Sequence, residues 1–440
     1  MTSGIIWRHL LDFSIPMAIG LLFQQLYNTV DMWVVGQFVG KMAQAAVSAT
    51  GSIINTIVGF CAGLATGASV IISQRYGAHD NKGLSQSVHT TIALTFIISA
   101  ISTCIGLSFI SPMLRFMQTP ENVWDEAEAY LTIYFSGVTG VLFYNMGSGV
   151  LRAVGDSRRP LVFLIISALL NTVLDLLFVL VFKMGVAGVA YATIIAQFIS
   201  ALLILVTLST ETGAYGIRWR QIHIDKESLQ SILRVGLPSS IQSAITAFSN
   251  VFVQSYINSF GAACMAGYGI YNKVDAFVLI PVQSISMSST TFVGQNWGAD
   301  NHKRARDGVR TALQISLLST AALGILVFVM AKQLLGFFSP EPDVVEFGTR
   351  FLYIVTPFYL VLCFNQILSG ALRGTGDATV PTLIMLGSFV VFRQIYLYVT
   401  HLLQVGFISV ALAYPLGWVM CSSLLIIRYL RSPLGRAGTV

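Results

Sequence analysis

Apolar runs long enough to cross a bilayer recur along the whole chain, separated by short polar breaks. This pattern predicts twelve helices, at 12–38, 48–74, 86–110, 128–151, 160–182, 187–208, 230–258, 264–295, 308–331, 346–371, 380–403 and 407–428. Turn residues cluster between them at Gly77 to Gly83, Gly155 to Pro160, Ser339 to Pro342 and Gly374 to Pro381. On the second run Gly59, Gly63 and Gly67 fall on one face, a spacing that lets two helices approach closely.

The first run departs from a plain greasy helix. Between Ser14 and Gly40 it carries Gln24, Gln25, Asn28 and the carboxylate Asp31. An ionisable group inside a spanning segment is costly and points to a watery or protein-lined cavity that serves transport. Gln24, Tyr27 and Asp31 are spaced by three and four residues and so share a helical face. With Asn28 they are candidates to line a substrate cleft. Pro16 withholds a backbone donor near the start of the same helix and is a candidate bend.

Composition agrees with the pattern. The 440 residues are 55% hydrophobic and only 10% charged, too few polar groups to cover a soluble surface. An all-α integral membrane protein is expected. The five cysteines, Cys61, Cys104, Cys264, Cys363 and Cys421, show no metal spacing and imply no disulfide. The first apolar run continues through polar residues without a cleavage-type site, so a cleaved signal peptide is not expected.

The formal charge of +6 is chiefly a topology signal. One set of loops holds most of the Lys and Arg, including Arg8, Arg75, Arg152, Arg158, Arg159, Arg218, Lys303, Arg304, Arg373 and Arg428. Only Lys41, Arg115, Lys183, Lys332 and Arg350 fall on the opposite side. That asymmetry places both termini in the cytoplasm of a cell-membrane protein. Because the basic residues are spread over many short loops, nucleic-acid binding is not expected.

The chain also repeats itself. Leu131 to Pro160 aligns without gaps with Leu352 to Pro381, matching Arg152 with Arg373, Gly155 with Gly376 and Asp156 with Asp377. Pro16 and Asn28 match Pro238 and Asn250 at an offset one residue larger. Six spans per repeat is an even number, so two six-helix lobes related by a pseudo-twofold axis along the membrane normal are expected. The expected division is 1–208 for the first lobe, 209–229 for a cytoplasmic linker and 230–440 for the second lobe.

Charged side chains inside the spans are few: Asp31, Asp175, Lys273, Asp275 and Arg393. Asp31, Asp175 and Thr193 each lie about 10 Å below the outer boundary of their spans at 1.5 Å per residue, so they could meet. Asn171, four residues before Asp175, shares its face. Hard oxygen ligands at Asp31, Asn171, Asp175 and Thr193 suit Na⁺, while two carboxylates that cannot both carry charge cheaply suit H⁺. Asp275 and Arg393 match in depth and are expected to form a buried ion pair or to bind substrate. Lys273 is a further candidate for the cleft. The six histidines fall in loops or near span ends and receive no role.

No HExxH, Walker A or dinucleotide-type glycine fingerprint is present, so an enzyme is not expected and any pumping must draw on an ion gradient. The two six-span halves, QRYGA and GQNWGA at the ends of the second and eighth spans, and LRAVGD and LRGTGD at those of the fourth and tenth resemble the multidrug and toxic compound extrusion family over essentially the whole chain. Asp31, the N-x-x-x-D formed by Asn171 and Asp175, and Thr193 resemble its DinF-like prokaryotic branch. The seventh and tenth spans lack the carboxylate that other branches carry. The resemblance implies a monomeric antiporter that exports organic, often cationic and amphipathic, drug-like compounds against H⁺ or Na⁺, with no other cofactor. The alternatives are a flippase for lipid-linked oligosaccharides, which would want a more cationic cleft, and an ion channel, which would show substrate-independent conductance.

Overall fold

A computed structural model of the chain describes residues 1–117 and 119–436. The described residues form helices α1 (Ile6–Val34), α2 (Lys41–Gly77), α3 (Asn81–Phe116), α4 (Glu121–Ser136), α5 (Val138–Ala153), α6 (Arg158–Leu176), α7 (Gly185–Thr210) and α8 (Lys226–Asn258). These are followed by α9 (Ala262–Gly298), α10 (His302–Val329), α11 (Ala331–Phe338), α12 (Pro342–Val355), α13 (Tyr359–Gly374), α14 (Thr379–Leu386), α15 (Arg393–Leu402), α16 (Phe407–Arg431) and the short α17 (Pro433–Arg436). Taken with their interruptions they make the twelve expected spans, of which ten among the described residues are long and apolar enough by themselves to cross a membrane. No strand occurs among the described residues.

The interruptions follow the repeat. The fourth span breaks at Gly137, between α4 and α5, and the tenth breaks across Thr356–Phe358, between α12 and α13. Pro357 explains the second break because it cannot donate within a helix. At Gly137 a Cβ would lie 2.3 Å from the side chain of Ile194, so close packing accounts for the glycine. Loop conformations recur as well. Left-handed backbone appears at Gly40 and Gly261, His79 and Asp300, Gly155 and Gly376, and Lys183 and Gln404, each pair 221 residues apart. After His79 and Asp300, the side chains of Asp80 and Asn301 cap α3 and α10 by accepting from Gly83 N at 3.0 Å and Arg304 N at 3.2 Å.

Two compact units emerge, and their boundary differs from the expected one at 208–230. One unit is Ile19–Ser240; the other is Met1–Ala18 together with Ile241–Val440. Thus α1 and α8 both change unit in mid-helix, two residues after Pro16 and Pro238 respectively. Hydrophobicity sees each helix as one unbroken run, so the exchange is invisible to it. Within Ile19–Ser240 the first half of α8 lies against the glycine face of α2: a Cβ on Gly63 would meet Ser240 N at 2.3 Å and one on Gly67 would meet Gly236 Cα at 2.5 Å. Asp225 caps this half-helix, accepting from Ser228 N at 2.8 Å and from its hydroxyl at 2.7 Å.

In the Ile19–Ser240 unit a core of Val34, Val35, Ala43, Tyr130, Val179, Val186, Val189 and Ala190 surrounds the C-terminal ends of α1 and α6 and the N-terminal end of α7. The other unit centres on aromatic rings, with Tyr268 and Tyr271 stacked at 5.7 Å and Tyr271 stacked on Phe351 at 5.3 Å.

Candidate functional site

Four helices of the Ile19–Ser240 unit bring polar side chains into its apolar core. Helix α1 carries Tyr27 and Asp31, α6 carries Asn171 and Asp175, and each pair is one turn apart on a single face. Helix α7 supplies Thr193 and α4 supplies Tyr130. Asn171 and Asp175 are fully buried and Asp31 is only 9% exposed.

Asn171 holds the group together. With its amide assigned from its neighbours, Nδ2 donates to Asp31 Oδ1 at 2.9 Å and to Asp175 Oδ2 at 3.1 Å, while Oδ1 accepts from Thr193 N at 3.2 Å. Both amide protons and the carbonyl are thereby used. The Asp31 and Asp175 carboxyls are in this way gathered around one amide nitrogen. Tyr27 donates to Thr193 Oγ1 at 3.4 Å, and Tyr130 is buried in the core around the same helix ends. Asp175 Oδ1 is sealed from solvent without a partner.

Two bare carboxylates gathered around one amide in an apolar core would repel strongly, so neutralising one of them is favourable. Chemically, such a cluster can take up a proton, and its contacts would change when that proton leaves. To Na⁺ it offers hard oxygen ligands as well. The one amide oxygen is already accepting from Thr193 N, which leaves only carboxylate and hydroxyl oxygens to a cation.

Asp31, Asn171, Asp175 and Thr193 are thus brought together as their depths suggested. Tyr27, a candidate for the substrate cleft, joins them through its bond to Thr193. Gln24 and Asn28 are exposed on α1. Tyr130 was missed, because one tyrosine among 16 carries no spacing signal toward residues on three other helices. Directly beyond the two acids both helices loosen into π turns, at Val35–Val39 after Asp31 and at Leu177–Val181 after Asp175. Such turns often mark functional positions, and nothing in hydropathy foretells them.

The second unit corrects one expectation: Asp275 and Arg393 do not pair. Asp275 Oδ1 accepts from the Tyr359 hydroxyl at 2.5 Å and from Tyr271 at 3.3 Å. Arg393 donates to Ser249 Oγ at 2.8 Å and Asn250 Oδ1 at 2.9 Å, and its guanidinium stands 5.2 Å from the Tyr414 ring. Equal depth leaves the direction around each helix axis free, and α9 turns Asp275 toward α13 while α15 turns Arg393 toward α8. Lys273 is exposed, with its ammonium 5.7 Å from the ring of Phe338.

The MatE family model matches residues 16–177 and, a second time, residues 238–399, so the repeat read from the sequence is also found by comparison. Over 433 residues the chain is 30% identical to the probable multidrug resistance protein YoeA of Bacillus subtilis (strain 168), covering 96% of this chain and 93% of that one. The probable multidrug resistance protein YpnP of the same organism is likewise 30% identical, over 97% of this chain and 96% of its own. Among solved structures, a MATE protein in the straight conformation aligns with a TM-score of 0.91 at 25% identity, over 99% of this chain and 98% of that one.

Proposed function

This chain belongs to the MatE family of multidrug efflux transporters, and on that premise we propose that it exports organic drug-like compounds from the cell in exchange for protons. The observation that carries the reading is the Asn171 amide, which donates to Asp31 and Asp175 together. A proton shared there lets α1 and α6 hold one another. Its loss leaves two charges that repel, which is the differential contact that a two-state antiporter needs.

The protein works as a monomer in the cell membrane with both termini in the cytoplasm. Loading of Asp31 and Asp175 alternates with binding of an organic compound, so that the two ligands move in opposite directions. Gln24 and Asn28, exposed on α1 beside Tyr27, are the nearest polar groups to greet that compound. The same four oxygen-bearing residues, Asp31, Asn171, Asp175 and Thr193, would serve Na⁺ only after the Asn171 amide had turned its oxygen inward.

Efflux of a fluorescent organic cation from proteoliposomes, under H⁺ and Na⁺ gradients imposed separately, tests the reading. A proton gradient alone should drive export. Export driven by Na⁺ alone would replace the proton with sodium, and export under neither gradient would sink antiport.

A further inference from the structure

We propose that Asp275 is a second proton-binding site of this transporter, carried by the unit that lacks the Asp31 and Asp175 cluster. Asp275 lies in the middle of α9 and within a segment long and apolar enough to span the membrane. Its two oxygens differ. Both hydroxyl donors, Tyr359 and Tyr271, are aimed at Oδ1. Oδ2 has no protein partner, yet it is not among the buried atoms shut off from solvent, and the residue is partly exposed. One oxygen is therefore fixed while the other stays open to exchange.

The nearby charges do not neutralise it. Among the described residues no Lys, Arg or His forms an ion pair with Asp275. On its own helix Lys273 points away, to Phe338. Helix α13 faces it with Tyr359 and α12 with the ring of Phe351 beside Tyr271. Helix α16 contributes Tyr414, whose hydroxyl meets that of Tyr268 at 2.6 Å, and Arg393 is held behind the Tyr414 ring. The positive charge of Arg393 is thus engaged by Ser249, Asn250 and the Tyr414 ring rather than by the carboxyl. A carboxyl inside a span with no cationic partner must take its counter-charge from elsewhere.

The size of that partner is limited by the rings. An organic cation would need an open aromatic face. Tyr268, Tyr271 and Tyr359 are 4%, 2% and 1% exposed, and the first two are stacked on each other. Among the described residues no group of three or more His, Cys, Asp or Glu could hold a metal ion, so the counter-charge assigned to Oδ2 is a proton.

Infrared difference spectra of the full chain in proteoliposomes, taken through a pH titration, read this binding without any transport. Asp275→Asn should lose one protonated-carboxyl C=O band that survives in Asp31→Asn and in Asp175→Asn. Tyr359→Phe keeps the ring but removes a donor to Oδ1, and should move the midpoint of that band by about one pH unit. A spectrum of Asp275→Asn that superimposes on the wild type would overturn the proposal. So would an unmoved midpoint in Tyr359→Phe, which decides the matter alone if Asp275→Asn does not fold. A second arm rests on the proton-antiport reading: the ratio of protons exchanged to substrate exported should fall in Asp275→Asn, and an unchanged ratio would overturn an exchange role. Failure of antiport itself would show as absent proton movement in the wild type and would leave the infrared result standing.

Discussion

Asn171 donates its amide nitrogen to Asp31 across 2.9 Å and thereby ties α6 to α1. Replacing Asn171 with Leu would leave both carboxyls without that donor in an apolar core. A stranded buried acceptor costs about 1–3 kcal/mol. The expected outcome is a protein that inserts but unfolds at a lower temperature and no longer exports. A thermal-unfolding curve matching the wild type would show that the amide does not hold the two helices.

Asp31→Asn keeps the shape of the side chain but cannot gain or lose a proton at working pH. Proton-driven efflux should drop by at least about tenfold, the effect of about 1.4 kcal/mol, while expression stays equal. Asp175→Asn should fail in the same way, because the missing carboxyl is half of the shared contact. Drug resistance at wild-type level in cells carrying either variant would remove the two-carboxyl site from the mechanism.

Pro16 stands two residues before α1 passes from one compact unit to the other, and Pro238 stands two residues before α8 does the same. A proline cannot donate to the carbonyl one turn earlier, so each helix is weakest where it must serve two bodies. In Pro16→Ala the restored donor should stiffen α1. Efflux should fall severalfold, and the pH-dependent labelling of cysteines placed along α1 should flatten. Wild-type efflux together with wild-type labelling would leave the proline with no part in coupling.

Glu211, just beyond α7, accepts from Arg159 Nη1 at 2.5 Å, and Arg159 also pairs with Asp156. The Arg159 hydrogen bond, as the leading cause, holds the Glu211 carboxyl below its ordinary value of 4.5. A carboxylate whose folded value is depressed stabilises the fold above its unfolded value and loses that contribution as pH falls through the folded one. Wild-type thermal stability should therefore fall from about pH 5 to about pH 3 more steeply than that of Glu211→Gln. Parallel curves for the two proteins would show that the contact contributes nothing to stability.

The sequence alone determined the class, the number of spans and the repeat. Hydropathy, the scarcity of charge and the recurrence of Arg152 and Asp156 as Arg373 and Asp377 are properties of the chain that no packing can alter. It also determined that Asp31, Asn171, Asp175 and Thr193 could meet, since helical rise fixes depth and a four-residue step fixes the face. Only the tertiary structure decided what lies around each helix axis and which neighbour each face meets. That is why Tyr130 joins the core around the cluster unannounced, why Gln24 and Asn28 stay exposed, and why Asp275 and Arg393 share a depth but not a bond. It also decided where α1 and α8 change unit. A proline marks a weak point in a helix, but which body each half packs against is settled by contacts such as Gly67 with Gly236, made between residues far apart in the chain.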